Sequence, residues 1–228
     1  MKLKTLSTIV ACLAVFITPL TSNPAMAVTQ KCPSFDFKQI FVADYATGSK
    51  WDNSSGDLQI TWSAKSNVIY DEDIVRPFTE EELGWIRTAF KSWDNALNTV
   101  SFREVDASEA PQIVIGFVEL KPSQVQLNAM GFWNAWVENG FRYRATIKLK
   151  ASETKWFSNK SQFIHSTQHE LGNTLGLGDL TPTTAFNSVL EDPWQPPYGK
   201  FNLSSTDVAM VHRLYGESTC TPTITSKP

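Results

Sequence analysis

Cysteine and histidine are scarce in this chain, and no long apolar run occurs beyond its first residues. The 228 residues contain three cysteines and three histidines. No segment after the N-terminus approaches the ~18 consecutive apolar residues that a membrane span needs. There is no basic excess either, with 20 Lys and Arg against 23 Asp and Glu. The sequence therefore predicts no membrane span and offers no support for a nucleic-acid or anionic-membrane partner.

The first 27 residues have the order of a secretory signal peptide. Lys2 and Lys4 precede a short apolar stretch, and Ala25 and Ala27 supply small residues before the expected cleavage site. Cleavage there leaves 201 residues with a net charge of about −5, which suits one domain with a sizeable core. We expect a secreted or extracytoplasmic protein, periplasmic if it comes from a double-membrane bacterium.

No internal repeat or low-complexity linker divides the rest of the sequence. We expect an N-terminal extension over residues 28–56, one folded domain over residues 57–220 and a tail over residues 221–228. Two cysteines remain after cleavage, Cys32 and Cys220, in a compartment where thiols oxidise. One interpretation is a disulfide that joins the two ends of the domain. The alternative is a pair of free thiols, with Cys32 reaching a metal ion.

Periodic apolar residues predict two strands and a helix in the first half of the domain. Residues 58–63 alternate between apolar and polar side chains, as a half-buried strand does. Thr79 and Glu82 match a capping box, and apolar side chains then recur at helical spacing to about Leu97. Residues 113–118 are a β-branched run typical of a strand that is covered on both faces. The helix is expected to back the sheet.

The second half of the domain is predicted to contain an exposed strand and two helices. Residues 141–150 include a second alternation, and Lys148 and Lys150 are typical of an edge strand because lysines blunt exposed edges. Candidate caps at residues 159–161 and 204–207 begin the two helices. This order of elements predicts an α+β domain of the mixed α/β kind.

One of these helices carries the clearest chemical pattern. A helix advances one turn in about 3.6 residues, so His169 and Asn173 project from one face with Glu170 beside them. Gly176 permits a sharp turn after the helix, and Asp179 can then fold back toward the same point. Three such ligands would leave a fourth position on zinc for water, whose proton Glu170 could take during attack on a peptide carbonyl. The pattern indicates metal-assisted hydrolysis.

The segment from His169 to Asp179 resembles the metzincin signature HExxHxxGxxH, specifically its matrixin branch. The matching positions are His169, Glu170, Gly172, Leu175, Gly176 and Asp179. The resemblance implies a zinc-dependent endopeptidase with a twisted mixed sheet, a backing helix, an active-site helix and a C-terminal helix. Members of the family bind extended peptides along an edge strand, which here implies a polypeptide substrate beside residues 145–150.

Two residues depart from the family pattern. Asn173 stands where the family has its second zinc histidine, and Leu190 stands where a turn presents methionine beneath the metal. Leucine is a mild replacement, whereas a neutral amide oxygen is a weak zinc donor that suits harder ions such as calcium. Loss of an imidazole should weaken zinc affinity by at least ~10–100-fold. Zinc at His169, Asn173 and Asp179 is the expected cofactor, with structural calcium as an addition.

Three further features allow two interpretations each. His165 lies one turn before His169 and could replace the missing ligand, or it could be a hydrogen-bonded surface residue. The aromatic residues within 132–136 could line a substrate groove or serve packing. Residues 192–198 could form a specificity-determining wall or a rigid connector. His212, in contrast, is expected to be a favourable cation at the end of the last helix.

Two functions are compatible with these residues. The first is a secreted zinc endopeptidase with Glu170 as general base. The second is a catalytically impaired pseudoprotease, which keeps the groove and binds polypeptides without cleaving them; Asn173 and Leu190 favour it. The sequence identifies neither the substrate, nor the route of activation, nor the oligomeric state.

Overall fold

The computed structural model of the protein describes residues 49–66, 68–69, 72–119, 130–180, 188–191 and 203–215. The predicted signal peptide, both Cys32 and Cys220, and residues 192–198 lie outside these ranges, so the proposed disulfide and the proposed specificity wall stay predictions. In the described part of the chain, no helix is long and apolar enough to cross a membrane.

Eight strands, four α-helices and a short 3₁₀ helix (Ala107–Glu109) are described, in an order that confirms the mixed α/β prediction. The strands are β1 (Lys50–Trp51), β2 (Leu58–Ser63), β3 (Val68–Ile69), β4 (Glu72–Asp73), β5 (Val100–Glu104), β6 (Ile113–Val118), β7 (Gly131–Glu138) and β8 (Phe141–Lys150). The helices are α1 (Glu80–Ala96), between β4 and β5, and then α2 (Thr154–Phe157), α3 (Lys160–Leu175) and α4 (Ser205–Tyr215) after β8.

A mixed sheet organises the domain. Four parallel strands in the order β5-β2-β6-β8 form its body. β7 pairs antiparallel with β8 from Gly131 opposite Leu149 to Glu138 opposite Phe141. β1 pairs in parallel with residues 141–142 of β8, before the point at which the pairing of β8 with β6 starts. β7 therefore lies at the edge of the sheet, and no strand of the described residues pairs with its outer side.

β8 is an interior strand, which corrects the prediction that residues 145–150 form an edge. The alternation itself is right, since Ala145, Ile147 and Leu149 are fully buried in the main core. Lys148 is buried as well, because β7 and β6 flank β8 on its two sides. A lysine pattern cannot reveal a strand from elsewhere in the chain that covers the edge.

The main core lies between the sheet and the helices α1 and α3. Trp93 of α1 is fully buried and donates from Nε1 to the Gln168 carbonyl at 2.9 Å, which joins the two helices. Trp62 of β2 stacks on Phe90 of α1 with ring centroids 4.1 Å apart. Leu171 of α3 is fully buried in the same cluster, as its helical spacing predicts.

The N-terminus of α1 is closed by the predicted capping box and by an ion pair. The Thr79 hydroxyl accepts from the Glu82 amide at 3.2 Å, and the Glu82 carboxylate accepts from the Thr79 amide at 2.7 Å. Arg76 donates to both carboxylate oxygens of Glu82 at 2.6 and 2.9 Å. Burial opposes ionisation, but these hydrogen bonds outweigh it and hold the pKa of Glu82 below its usual value.

Glu82→Gln should lower the free energy of unfolding by ~1 kcal/mol at pH 7, because glutamine keeps the capping geometry but loses the charge that Arg76 binds. The folded-state pKa of Glu82 is depressed, so its contribution is present above the ordinary carboxyl pKa and disappears as the pH falls below it. Urea unfolding at pH 7 and at pH 3 tests this. The prediction is contradicted if the free energies of unfolding of the variant and the parent differ by the same amount at the two pH values.

Candidate active site

Helix α3 carries the residues that the spacing of the sequence singled out. The Asn159 side chain begins the helix by accepting from the Ser161 and Gln162 amides at 2.9 and 3.2 Å. The helix ends at Gly176, whose φ of 113° is a left-handed conformation that glycine adopts without strain. His169 therefore lies in the last two turns of α3.

The side chains of the three proposed ligand positions meet at one point. Asp179, on the segment that follows Gly176, places Oδ1 3.1 Å from His169 Nε2. The same oxygen accepts a hydrogen bond from Asn173 Nδ2 at 2.7 Å. The helical turn and the glycine bend thus bring positions 169, 173 and 179 within reach of one ion.

His169 is oriented from both of its ring nitrogens. Nδ1 lies 2.9 Å from the Val189 carbonyl and donates to it, which leaves Nε2 directed at Asp179. Burial alone would lower the pKa of His169, but the Asp179 hydrogen bond, the charges of Glu170 and Asp179 and the Val189 carbonyl raise it to about 9. A carbonyl partner on the second nitrogen is the arrangement that metal-binding histidines use to fix the ring.

One polar atom of the buried Asn173 side chain lacks a hydrogen bond. Its side chain is almost fully buried. Nδ2 donates to Asp179, whereas the amide oxygen Oδ1 has no hydrogen-bond partner among the described residues. An orphaned buried oxygen costs ~1–3 kcal/mol unless a ligand or water satisfies it.

The carboxylate of Glu170 is packed against the first residue of β7. Glu170 is 6% exposed, and a Cβ placed on Gly131 would lie 2.5 Å from its Oε1. Glycine at this position is therefore required if the carboxylate is to keep its place. No sequence pattern indicates this role for Gly131, because only the fold shows that β7 begins beside α3.

Three side chains from distant elements bind the last carbonyl groups of α3. Arg142 of β8 donates to the Asn173 carbonyl, Trp51 of β1 donates to the Thr174 carbonyl at 2.9 Å, and Tyr215 of α4 donates to the Leu175 carbonyl at 2.7 Å. The ends of helices leave such carbonyl groups without an intrahelical partner. These bonds fix the turn that carries position 173 and directs the chain toward Asp179. No local sequence signal marked the three donors.

Gly176→Ala should destabilise the domain by ~2–4 kcal/mol, because two penalties combine at this position. The backbone conformation is left-handed, and a Cβ would lie 2.5 Å from the Ser49 carbonyl oxygen. Gly56 is the matched control, since its φ of 108° is similar and nothing lies within 4 Å of its Cβ position. Gly56→Ala should cost only ~1 kcal/mol. If urea unfolding shows the same loss of unfolding free energy for both variants, the clash with Ser49 does not contribute to the destabilisation.

A turn beside α3 is held in place by a buried carboxylate. Asp207, at the start of α4, accepts from the Ser188 hydroxyl at 2.5 Å, from the Val189 amide at 3.3 Å and from both the amide and the hydroxyl of Ser204 at 2.7 Å. Burial raises the pKa of Asp207 above its usual value, although each of these hydrogen bonds opposes that shift. Because the Val189 carbonyl accepts from His169, this network positions the imidazole.

Leu190 belongs to the same turn and packs against α3. It is fully buried, and its Cδ2 lies 2.8 Å from the position that a Cβ on Gly172 would take. Gly172 immediately precedes Asn173. Leu190 thus fills the space next to the ligand positions with an apolar side chain.

The other two histidines have different environments. His165 lies one turn before His169 on α3, and burial together with the charge of His169 lowers its pKa to about 3, so it is neutral. His212 of α4 donates from Nε2 to the carbonyl of Ala96, the last residue of α1. His212 also lies in the last turn of α4, the position in which we expected it.

Comparison with known proteins shows to which family the chain belongs. A model of the matrixin family matches residues 50–216. The chain belongs to the matrixin family. No curated protein matches the sequence of this matrixin significantly. The domain of this chain is metalloprotease-like, and members of the matrixin family generally bind zinc.

Two solved structures are similar to this matrixin at low sequence identity. The structure of myroilysin has 13% identity and a TM-score of 0.47, and the alignment covers 75% of this chain and 97% of the other. The GM1-bound form of the ECX AB5 holotoxin has 12% identity and a TM-score of 0.45, with 75% and 86% covered. Similarities at this level carry no functional argument, so the family assignment rests on the family match.

The donor atoms of this matrixin fit a divalent cation. His169 Nε2, a carboxylate oxygen of Asp179 and the orphaned amide oxygen of Asn173 provide one nitrogen and two oxygens. The described residues contain no group of three His, Cys, Asp or Glu side chains that could hold a metal. Such a set favours harder ions more than three imidazoles do, and it binds zinc more weakly.

Proposed function

We propose that this matrixin is a secreted, zinc-dependent metalloendopeptidase that hydrolyses peptide bonds in extended polypeptides. His169, Asn173 and Asp179 are the proposed metal ligands, and Glu170 is the proposed general base. The observation that carries the proposal is that the side chains of the three proposed ligands meet at one point beside α3. Glu170 directly follows one of them, His169, in the sequence. The order of residues 1–27 supports secretion.

Glu170 is the residue to which the proposal assigns proton transfer. Zinc at the proposed site would act as a Lewis acid that activates water and polarises the peptide carbonyl. The Glu170 carboxylate would accept the proton of the attacking water and pass it to the leaving amine nitrogen. Its burial against Gly131 supports this role, because packing restricts the carboxylate to one orientation.

The outer edge of β7, with which no strand in the described part of the chain pairs, is the proposed platform for the substrate, in place of residues 145–150. An extended peptide can add to an exposed sheet edge through backbone hydrogen bonds. Gly131, the first residue of β7, contacts Glu170. A peptide that pairs with β7 would therefore pass the carboxylate that takes the proton. A further residue of β7, Trp133, is half-buried and lies on the same side of the sheet as Gly131.

Metal-dependent cleavage tests the proposal directly. The mature chain is purified, its zinc content is measured, and an unfolded protein substrate is incubated with it before and after treatment with a chelator. We expect cleavage that the chelator abolishes and that added zinc restores. Absence of metal-dependent cleavage at saturating zinc would refute the peptidase proposal.

Asn173 favours a second candidate function, a pseudoprotease that binds polypeptides without hydrolysing them. In the structure, the amide nitrogen of Asn173 and the imidazole of His169 both hydrogen-bond to Asp179. This arrangement gives Oδ1 of Asp179 two hydrogen-bond partners without a metal. The candidate predicts peptide binding that neither requires zinc nor responds to a chelator. Tight zinc binding and turnover by the unmodified chain would exclude it.

A further inference from the structure

Trp133 lies on the side of the sheet that faces α3. On β7, Trp133 is opposite Ile147, which is fully buried in the main core with the residues of α3. Trp136 lies opposite Arg144 and points to the other face, because side chains alternate along a strand. The two tryptophans therefore lie on opposite faces of the sheet, and of the two only Trp133 is on the face toward Glu170.

A β-bulge brings a cation onto the Trp133 ring. The register shifts between Trp136, opposite Arg144, and Val137, opposite Arg142, so Tyr143 is an extra residue on β8. Bulges redirect the side chains next to them. Arg142 consequently reaches α3, where it donates to the Asn173 carbonyl.

Arg142 restricts the Trp133 ring from one side. Its guanidinium carbon lies 4.8 Å from the ring centroid, within the range of a cation–π contact. Arg142 is 3% exposed and also donates from Nε to the Ser49 hydroxyl at 3.0 Å, so the guanidinium is itself held in place. Trp133 itself is only partly buried. It therefore presents a flat, oriented apolar surface two residues along β7 from Gly131.

We infer that Trp133 determines substrate specificity at one position of the bound peptide. The inference rests on the proposed binding of substrate along β7. In a peptide that pairs with β7, the residue opposite Trp133 places its side chain on the same face, where cross-strand neighbours are in contact. An aromatic or large aliphatic side chain there packs on the indole, and a basic side chain is disfavoured because the Arg142 charge lies behind the ring. We expect a preference of about 5–10-fold for phenylalanine over alanine at this position.

Cleavage profiling of a randomised peptide library, with products read by mass spectrometry, tests the inference. Trp133→Ala should remove the aromatic preference at one position and leave the others unchanged, whereas Trp133→Phe should retain most of it. Trp136→Ala is the matched control on the same strand, and it should leave the profile unchanged. Urea unfolding of each variant identifies any that fails to fold, and Trp133→Leu then replaces Trp133→Ala.

Binding without cleavage separates this inference from the proposed function. Glu170→Gln is combined with each Trp133 variant, and the dissociation constants of two labelled peptides that differ only by Phe or Ala are measured by fluorescence polarisation. A Trp133-dependent preference in binding supports the inference even if the parent chain cleaves nothing. If Trp133→Ala cleaves or binds peptides with the same preference for Phe over Ala as its parent, the inference is overturned but the proposed function is not. A parent chain that neither cleaves nor binds peptides overturns both.

Discussion

Asn173→His should raise the affinity of the domain for zinc by ~100-fold or more, and chelator-sensitive hydrolysis should rise with it. The substitution replaces a neutral amide oxygen by an imidazole nitrogen, which zinc prefers. Position 173 is one helical turn from His169, and its side chain already contacts Asp179, so the new ring would join the two other proposed ligands. Competition with a zinc-binding dye measures the affinity.

Asn95→His is the matched control for this change. Asn95 is exposed on α1, so a histidine there adds a ligand type without adding to the proposed site. It should leave zinc affinity unchanged. If the unmodified chain already binds zinc as tightly as Asn173→His, the prediction is wrong and the pseudoprotease loses its main support. If only the variant binds zinc and cleaves, the natural site is catalytically impaired, as the pseudoprotease candidate requires.

Glu170→Gln should lower the rate of peptide hydrolysis by ~10²–10⁴-fold, because an amide cannot accept the proton of the attacking water. Glutamine has nearly the same shape, so the packing of this side chain against Gly131 is preserved. Peptide binding along β7 should therefore persist. The rate is best measured in the natural chain and again with Asn173→His, where the expected activity is larger.

Glu81→Gln controls for the loss of one negative charge. Glu81 is exposed on α1 and should leave the rate unchanged when it is neutralised. Equal rates for Glu170→Gln and its parent in both backgrounds would remove Glu170 from the proton-transfer role. Loss of peptide binding in Glu170→Gln would indicate instead that the carboxylate supports the structure of the groove.

The helices and the buried strands could be predicted because their signals are local. The Thr79 and Glu82 capping box and the apolar spacing of α3 lie within a few residues, and the structure contains both features as expected. The fold class and the family followed from the same signals. Position 179 could be placed near His169 because one glycine bend separates it from the helix.

The edge of the sheet could not be predicted from local signals. Residues 145–150 alternate like an edge strand, yet β7 covers them through an antiparallel pairing that no single segment encodes. The donors Arg142, Trp51 and Tyr215 were missed for the same reason, since each binds an α3 carbonyl from a distant element.

By itself, the sequence determined which side chains share a helix face, because helical geometry follows from spacing alone. It placed His169, Glu170 and Asn173 together and showed that the expected histidine is an asparagine. Only the tertiary structure decided that β7 is the edge strand among the described residues, that Gly131 makes room for Glu170, and that Arg142 orients Trp133. Those features depend on strand pairing and a bulge, which bring residues together that are far apart in the chain.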